Sequence, residues 1–134
     1  MRLRGYQRSD GVFSPTIEVV IRAPGEPYAL LAVVDSGADS TILSAEYLPA
    51  SVTYADLPVL GEAQGVGGTF EIARWDVQVW FDKWKVCDAV QVIEPGKSPT
   101  PMMLLGRSDF FRRFTVYFDW HSQPGIVEIK RSST

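Results

Sequence analysis

Residues 33–43 read Val33-Val34-Asp35-Ser36-Gly37-Ala38-Asp39-Ser40-Thr41-Ile42-Leu43, an apolar run that ends in an acid, a small hydroxyl residue and a glycine. That order suits a carboxylate at the end of a buried strand, held by a tight loop and aimed at a cleft. Asp35 supplies the carboxylate in this reading. Ser36 supplies a hydroxyl that fixes the loop, and Gly37 a bare backbone that lets a ligand or another chain approach. The same residue types are ordinary turn formers, so the triplet decides nothing without its neighbours. Asp-Ser-Gly occurs once in the chain. If Asp35 is half of a carboxylate pair doing acid–base work, the other half must come from a second copy of the protein.

Two further stretches follow in order. In Gln64-Gly65-Val66-Gly67-Gly68-Thr69-Phe70 three glycines sit within four positions between strand-like flanks. This is a hairpin tip whose backbone takes positive φ readily. Met102-Met103-Leu104-Leu105-Gly106-Arg107 is an apolar strand ending in glycine. It leads into Ser108-Asp109-Phe110-Phe111-Arg112-Arg113-Phe114, where the phenylalanines fall at i, i+1 and i+4, a helical spacing.

Together the Val-Asp-Ser-Gly-Ala-Asp-Ser-Thr-Ile-Leu segment, the Gly-Val-Gly-Gly tip and Leu-Leu-Gly-Arg before a short helix resemble the signatures of retropepsin-like aspartic proteases. These are the retroviral proteases and their cellular and bacterial relatives. The resemblance runs from about Thr16 to Ile129. It departs at Ser36, where retroviral members usually have Thr, and in a longer segment after the helix. The resemblance implies an aspartic endopeptidase that works as a homodimer on peptide or protein substrates, without cofactor or metal. Asp35, Ser36 and Gly37 would form the catalytic loop, with Ser36 donating across the symmetry axis. Ala38, Asp39, Val66, Gly67 and Gly68 would contact substrate, and Gly106 and Arg107 would support the loop. It also places Asp39 beside Arg107 as a bidentate pair. The alternative is a catalytically weak or inactive dimer of this fold that binds peptides.

Composition agrees with one domain over residues 1–134, long enough to bury about two-thirds of its unfolded surface. An apolar content of 46% supplies a core, and a net charge of −3 argues against nucleic acid as the main partner. Arg2, Arg4 and Arg8 read as a solvated segment. Cys87 is the single cysteine, so no intramolecular disulfide forms. It reads as a small buried apolar residue. No run approaches the roughly 20 apolar residues of a membrane span. The N-terminus lacks the apolar core of a secretory signal, so a cytoplasmic location is expected.

Short β-branched and aromatic runs separated by Gly, Pro, Asp and Ser predict an all-β domain, a closed or curled barrel with a flap hairpin and one short helix near the C-terminus. Strands are expected near Thr16–Arg22, Tyr28–Asp35, Ser51–Tyr54, Val59–Gln64, Thr69–Phe81, Trp84–Ile93, Met102–Leu105, Thr115–Asp119 and Ile126–Lys130. The helix is expected over Arg107–Arg113, with one turn at Ser44–Leu48. Phe70 and Ile72 oppose Trp75, Val77, Val79 and Phe81 in parity, which predicts a bulge near Ala73–Arg74 unless the strand is buried on both faces. Val66, Ile42 and Met103 are candidate pocket linings or plain core. Ala38 cannot donate to the carboxylate as a hydroxyl residue would, so activity is expected to reach weakly acidic or neutral pH.

Overall fold

Ile17, Val19 and Ile21 are buried while Glu18 and Arg22 are exposed, a period-two pattern that commits their segment to a strand with one face on the core. The same logic recurs along the chain. The computed structural model describes residues 2–4, 6–7, 13–65, 68–97, 103–119, 121 and 125–132. Its strands are β1 (Arg2–Arg4), β2 (Tyr6–Gln7), β3 (Phe13–Ser14), β4 (Thr16–Arg22), β5 (Tyr28–Val34), β6 (Ile42–Ser44) and β7 (Val59–Gly65). They continue with β8 (Gly68–Trp75), β9 (Gln78–Phe81), β10 (Trp84–Cys87), β11 (Val90–Ile93), β12 (Met103–Leu105), β13 (Phe114–Asp119) and β14 (Ile126–Arg131). The helix α1 spans Phe110–Arg113, and single 3₁₀ turns occupy Ala45–Tyr47 and Tyr54–Asp56.

Among the described residues, nine strands form one curled half-barrel sheet in the order β10-β9-β4-β5-β12-β6-β11-β8-β7. A second sheet, β1-β14-β13, lies apart in hydrogen bonding but shares the core through Val127 and Ile129. Most neighbours are antiparallel; β12 pairs in parallel with β5, and β11 with β6. Those parallel pairs bring together segments distant in sequence, including the ends of β5 and β12. No helix among the described residues is long and apolar enough to cross a membrane.

Several expectations need correction. Ser51–Tyr54 is no strand: Asp56 and Leu57 amides bond back to Thr53 and Tyr54, closing a 3₁₀ turn. The run Thr69–Phe81 divides between β8 and β9. β8 itself carries no bulge: the register shift lies on the facing strand, where Val59 pairs with Ala73 and Gly61 with Ile72, leaving Leu60 as the extra residue. Phe70 and Ile72 keep the opposite parity and are half-buried on the other face. The buried set then runs unbroken through Ala73, Trp75, Val77, Val79 and Phe81. Trp84–Ile93 likewise divides into β10 and β11, with a register shift between Lys85 and Cys87 that lets consecutive Val86 and Cys87 both reach the core. The N-terminal segment Arg2–Arg4, for which no strand was expected, pairs with β14; Arg8 lies outside the described residues.

An aromatic cluster ties α1 to the β9–β10 hairpin. Phe110 stacks on Phe114 at 4.7 Å, and Phe81 meets both edge-on at 6.1 and 5.6 Å. Trp84 adds a third edge contact to Phe114 at 5.8 Å. A four-residue helix cannot hold itself together, so this packing and its cap specify it. Cys87 lies in the same core, where burial and then the Asp109 charge push its thiol up to about 12.

Phe110→Ala should lower stability by about 3–5 kcal/mol in urea unfolding. Cys87 in the parent protein should resist iodoacetamide at pH 8 and become reactive only with global unfolding. Rapid labelling in native buffer would contradict the buried, protonated thiol.

Candidate active site

The register of the parallel strands sorts side chains into two faces. Val34, Leu105, Met103, Leu43, Val92 and Ala73 are all buried, with at most 2% exposure. The opposite face carries Val33, Leu104, Ile42 and Gln91, each half-buried, and the exposed Arg74. Asp35 follows Val33 at the strand's period, and its amide still bonds Leu105 O at 3.0 Å. The carboxylate therefore sits at the rim of the half-exposed face. Met103, a candidate lining, belongs to the core instead; Ile42 faces the open side.

Beyond Asp35 the chain turns at once. Ala38 N donates to Asp35 O at 3.2 Å, and Gly37 N donates to the Asp35 carboxylate at 2.8 Å. A Cβ at Gly37 would stand 3.2 Å from that carboxylate oxygen, so a side chain there crowds the acid. Ser36, Gly37 and Asp39 are exposed, whereas Asp35 and Ala38 are half-buried.

The loop is then fastened to the segment after β12. Arg107 N donates to Ala38 O, and Ser108 N to Asp39 O, each at 2.9 Å. Between them Gly106 lies so close to Ser40 that a Cβ would come within 2.4 Å of its carbonyl carbon and oxygen. Only glycine permits that approach. The Arg107 guanidinium contacts the Asp39 carboxylate through one Nη2–Oδ1 bond, not a bidentate pair, and both side chains are mostly exposed. The pair orients the loop and adds little to stability.

Sequence reasoning missed the firmer tie, Thr41 with Asp109. Thr41 is 1% exposed; its hydroxyl donates to Asp109 Oδ1 and its amide to Oδ2 at 3.3 Å. Asp109 also accepts from Phe110 N at 2.7 Å, capping α1. One carboxylate thus locks loop to helix. An Asp before an apolar helical run is a cap signal, but nothing local names Thr41 as its second partner.

At the edge of the same sheet lies the hairpin β7–β8, with Gly65 paired to Gly68 and Gly68 at φ +117°, left-handed and suited to glycine. Val66 and Gly67, expected at the tip, lie outside the described residues. The hairpin base is held at Glu71. Tyr54 donates to its carboxylate at 2.9 Å, and Glu94 accepts from its amide at 3.0 Å. Partial burial, then the Glu71 hydrogen bond, pushes the Tyr54 phenol up to about 12. Among the described residues no group of three or more His, Cys, Asp or Glu side chains is placed to hold a metal ion.

A carboxylate at a strand end, in a glycine-containing loop clasped by a second strand, with a glycine-tipped hairpin at the edge of the same sheet, is the arrangement of the aspartic proteases of the retropepsin class. The family model described as retroviral aspartyl protease matches residues 13–118, and the chain belongs to that family. Among solved structures it resembles EIAV protease bound to the inhibitor HBY-793, with a TM-score of 0.55 and 22% identity, covering 71% of this chain and 83% of that one. It also resembles a retropepsin-like aspartic protease from Rickettsia conorii, with a TM-score of 0.59 and 15% identity, covering 96% and 98%. No curated protein matches the chain in sequence.

Asp109→Ala should cost about 1–3 kcal/mol through the orphaned Thr41 hydroxyl and lost cap, against under about 1 kcal/mol for Asp39→Asn. A Thr41→Val/Asp109→Ala cycle by chemical denaturation should be clearly non-additive. Equal costs at Asp39 and Asp109 would show that the exposed ion pair, not the buried tie, holds the loop.

Proposed function

We propose that the protein is an aspartic endopeptidase whose active site assembles when two copies meet about a twofold axis. The observation that carries this reading is the single Asp35, presented by an exposed Ser36-Gly37 turn at the edge of an open sheet face. One carboxylate cannot both activate water and protonate a carbonyl oxygen. Two of them about 3 Å apart share a proton, because like charges at that distance do not both ionise. The ionised member then takes a proton from water while the neutral member donates to the scissile carbonyl. Their titration belongs to the pair.

In this reading Ser36 reaches the partner's loop across the axis, which accounts for a hydroxyl on an exposed turn. Substrate lies extended between the half-buried face and the β7–β8 flap, bonded by backbone near Gly37, Gly67 and Gly68. Ala38, Asp39 and Val66 flank it. Gly106 and Arg107 keep the loop in place. The whole chain acts as one cytoplasmic domain, and its single buried Cys87 forms no intramolecular disulfide.

Two experiments test this. Sedimentation should give a dimer, and Asp35→Asn should reduce peptide cleavage by about 10²–10⁴-fold while the dimer persists. Peptide binding with no cleavage at any pH would favour the binding-module alternative, and a monomer at all concentrations would remove the dyad.

The pH profile offers a separate check. Among the described residues the Asp35 carboxylate receives one hydrogen bond, from Gly37 N. Ala38→Ser should add a donor, favour the ionised form and move the acid limb of activity to lower pH. A parent optimum confined to strongly acidic pH would contradict the role given to Ala38.

A further inference from the structure

Followed outward from Asp35, the half-exposed face changes character. Val33, Leu104 and Ile42 are apolar; the next residues in register across β11 and β8 are Gln91 and Arg74. β8 lies four strands from β5, about 15–20 Å at the usual spacing of about 4.8 Å. Curling of the sheet and the length of an arginine side chain shorten that reach. It corresponds to about three to five residues of extended peptide at about 3.3 Å each.

A cavity of about 200 Å³ opens at this outer end. Its walls come from three parts of the fold: Ser40 of the Asp35 loop, the bulged Leu60 of β7, and Arg74 and Gln91 of the sheet, with Asp109 at the end of the loop clasp. Asp109 is occupied, its oxygens accepting from Thr41 and Phe110. Arg74 meets Asp76 through Nε at 2.7 Å, and among the described residues its Nη groups have no partner. A guanidinium has five N–H donors in a planar fork, so one edge can serve Asp76 while the other receives a second carboxylate. The hydroxyl of Ser40 and the amide of Gln91 supply further donors beside it.

We propose that this cavity is an outer specificity subsite, with Arg74 the residue that selects a carboxylate side chain of the bound peptide several positions from the scissile bond. Apolar side chains are taken near Asp35, where the face is Val33, Leu104 and Ile42. The inference rests on the reading of this face as a peptide groove. It does not depend on turnover, because the selection acts on binding.

The test uses decapeptides with an apolar central pair joined by an uncleavable hydroxyethylene group, carrying Glu, Gln or Lys four positions from the pair on either side. Binding to the parent protein is read by fluorescence anisotropy. Glu peptides should bind about fivefold tighter than Lys peptides, a size set by a half-screened ion pair, with Gln between. Arg74→Gln should erase the order without weakening the Gln peptide, Arg74→Glu should reverse it, and Arg74→Lys should keep part of it. Equal binding of all three, a preference that survives Arg74→Gln, or no binding of any peptide overturns the subsite. Cleavable versions of the same peptides report separately on the endopeptidase: selective binding without hydrolysis sinks that reading and leaves the subsite standing.

Discussion

The approach of Gly106 to Ser40 is the constraint on which the site depends. Where a side chain would need room, the two backbones are in contact, and the amides of Arg107 and Ser108, just after Gly106, complete the clasp on the Ala38 and Asp39 carbonyls, just before Ser40. Loops that leave a strand end normally owe their shape to their own turn chemistry. This one is shaped from outside, by a segment more than sixty residues later, so Asp35 can hold its orientation although Ser36 and Gly37 are exposed. Parallel pairing of β5 with β12 makes this possible, because it sets Val34 beside Leu105 and so delivers both strand ends to the same place.

Around that contact, buried and exposed polar groups contribute differently. The Asp39–Arg107 pair is conspicuous in sequence, yet both partners remain in water and their attraction is screened. Thr41 and Asp109 involve a single charge, but Thr41 is buried and its hydroxyl has nowhere else to donate. Losing either partner leaves an unmet hydrogen bond, the more costly situation. The same carboxylate caps α1, whose Phe110 enters the aromatic cluster with Phe81 and Phe114. Loop, helix and core are thus mechanically continuous.

The hairpin β7–β8 contrasts with this rigidity. It forms the sheet's edge among the described residues, and its strand β7 carries exposed Val59 and Leu60. Its attachment to the body runs through the β8–β11 ladder and the Tyr54–Glu71–Glu94 contacts at its base. A segment with few buried anchors opens at lower cost than the core.

Local chemistry made much of this legible. Short β-branched and aromatic runs between turn residues marked β4, β5 and β7, the phenylalanine spacing marked the short helix, and the Asp-Ser-Gly and Leu-Leu-Gly-Arg segments marked the two halves of the clasp. Local patterns failed where partners were distant. Three-residue β6 is too short to carry a period, and Ser51–Tyr54 has strand-like residues but no strand beside it. The parity conflict in Thr69–Phe81 reflects the half-burial of Phe70 and Ile72 on the second face, and the bulge at Leu60 on the facing strand was invisible because a bulge belongs to a pair of strands. Residue types and their order determined that this chain has a curled β architecture and an acid at a strand end. Which side chains share the open face with that acid, and that Thr41 rests on Asp109, was decided only by tertiary pairing, because register and burial are properties of segments brought together and not of any one of them.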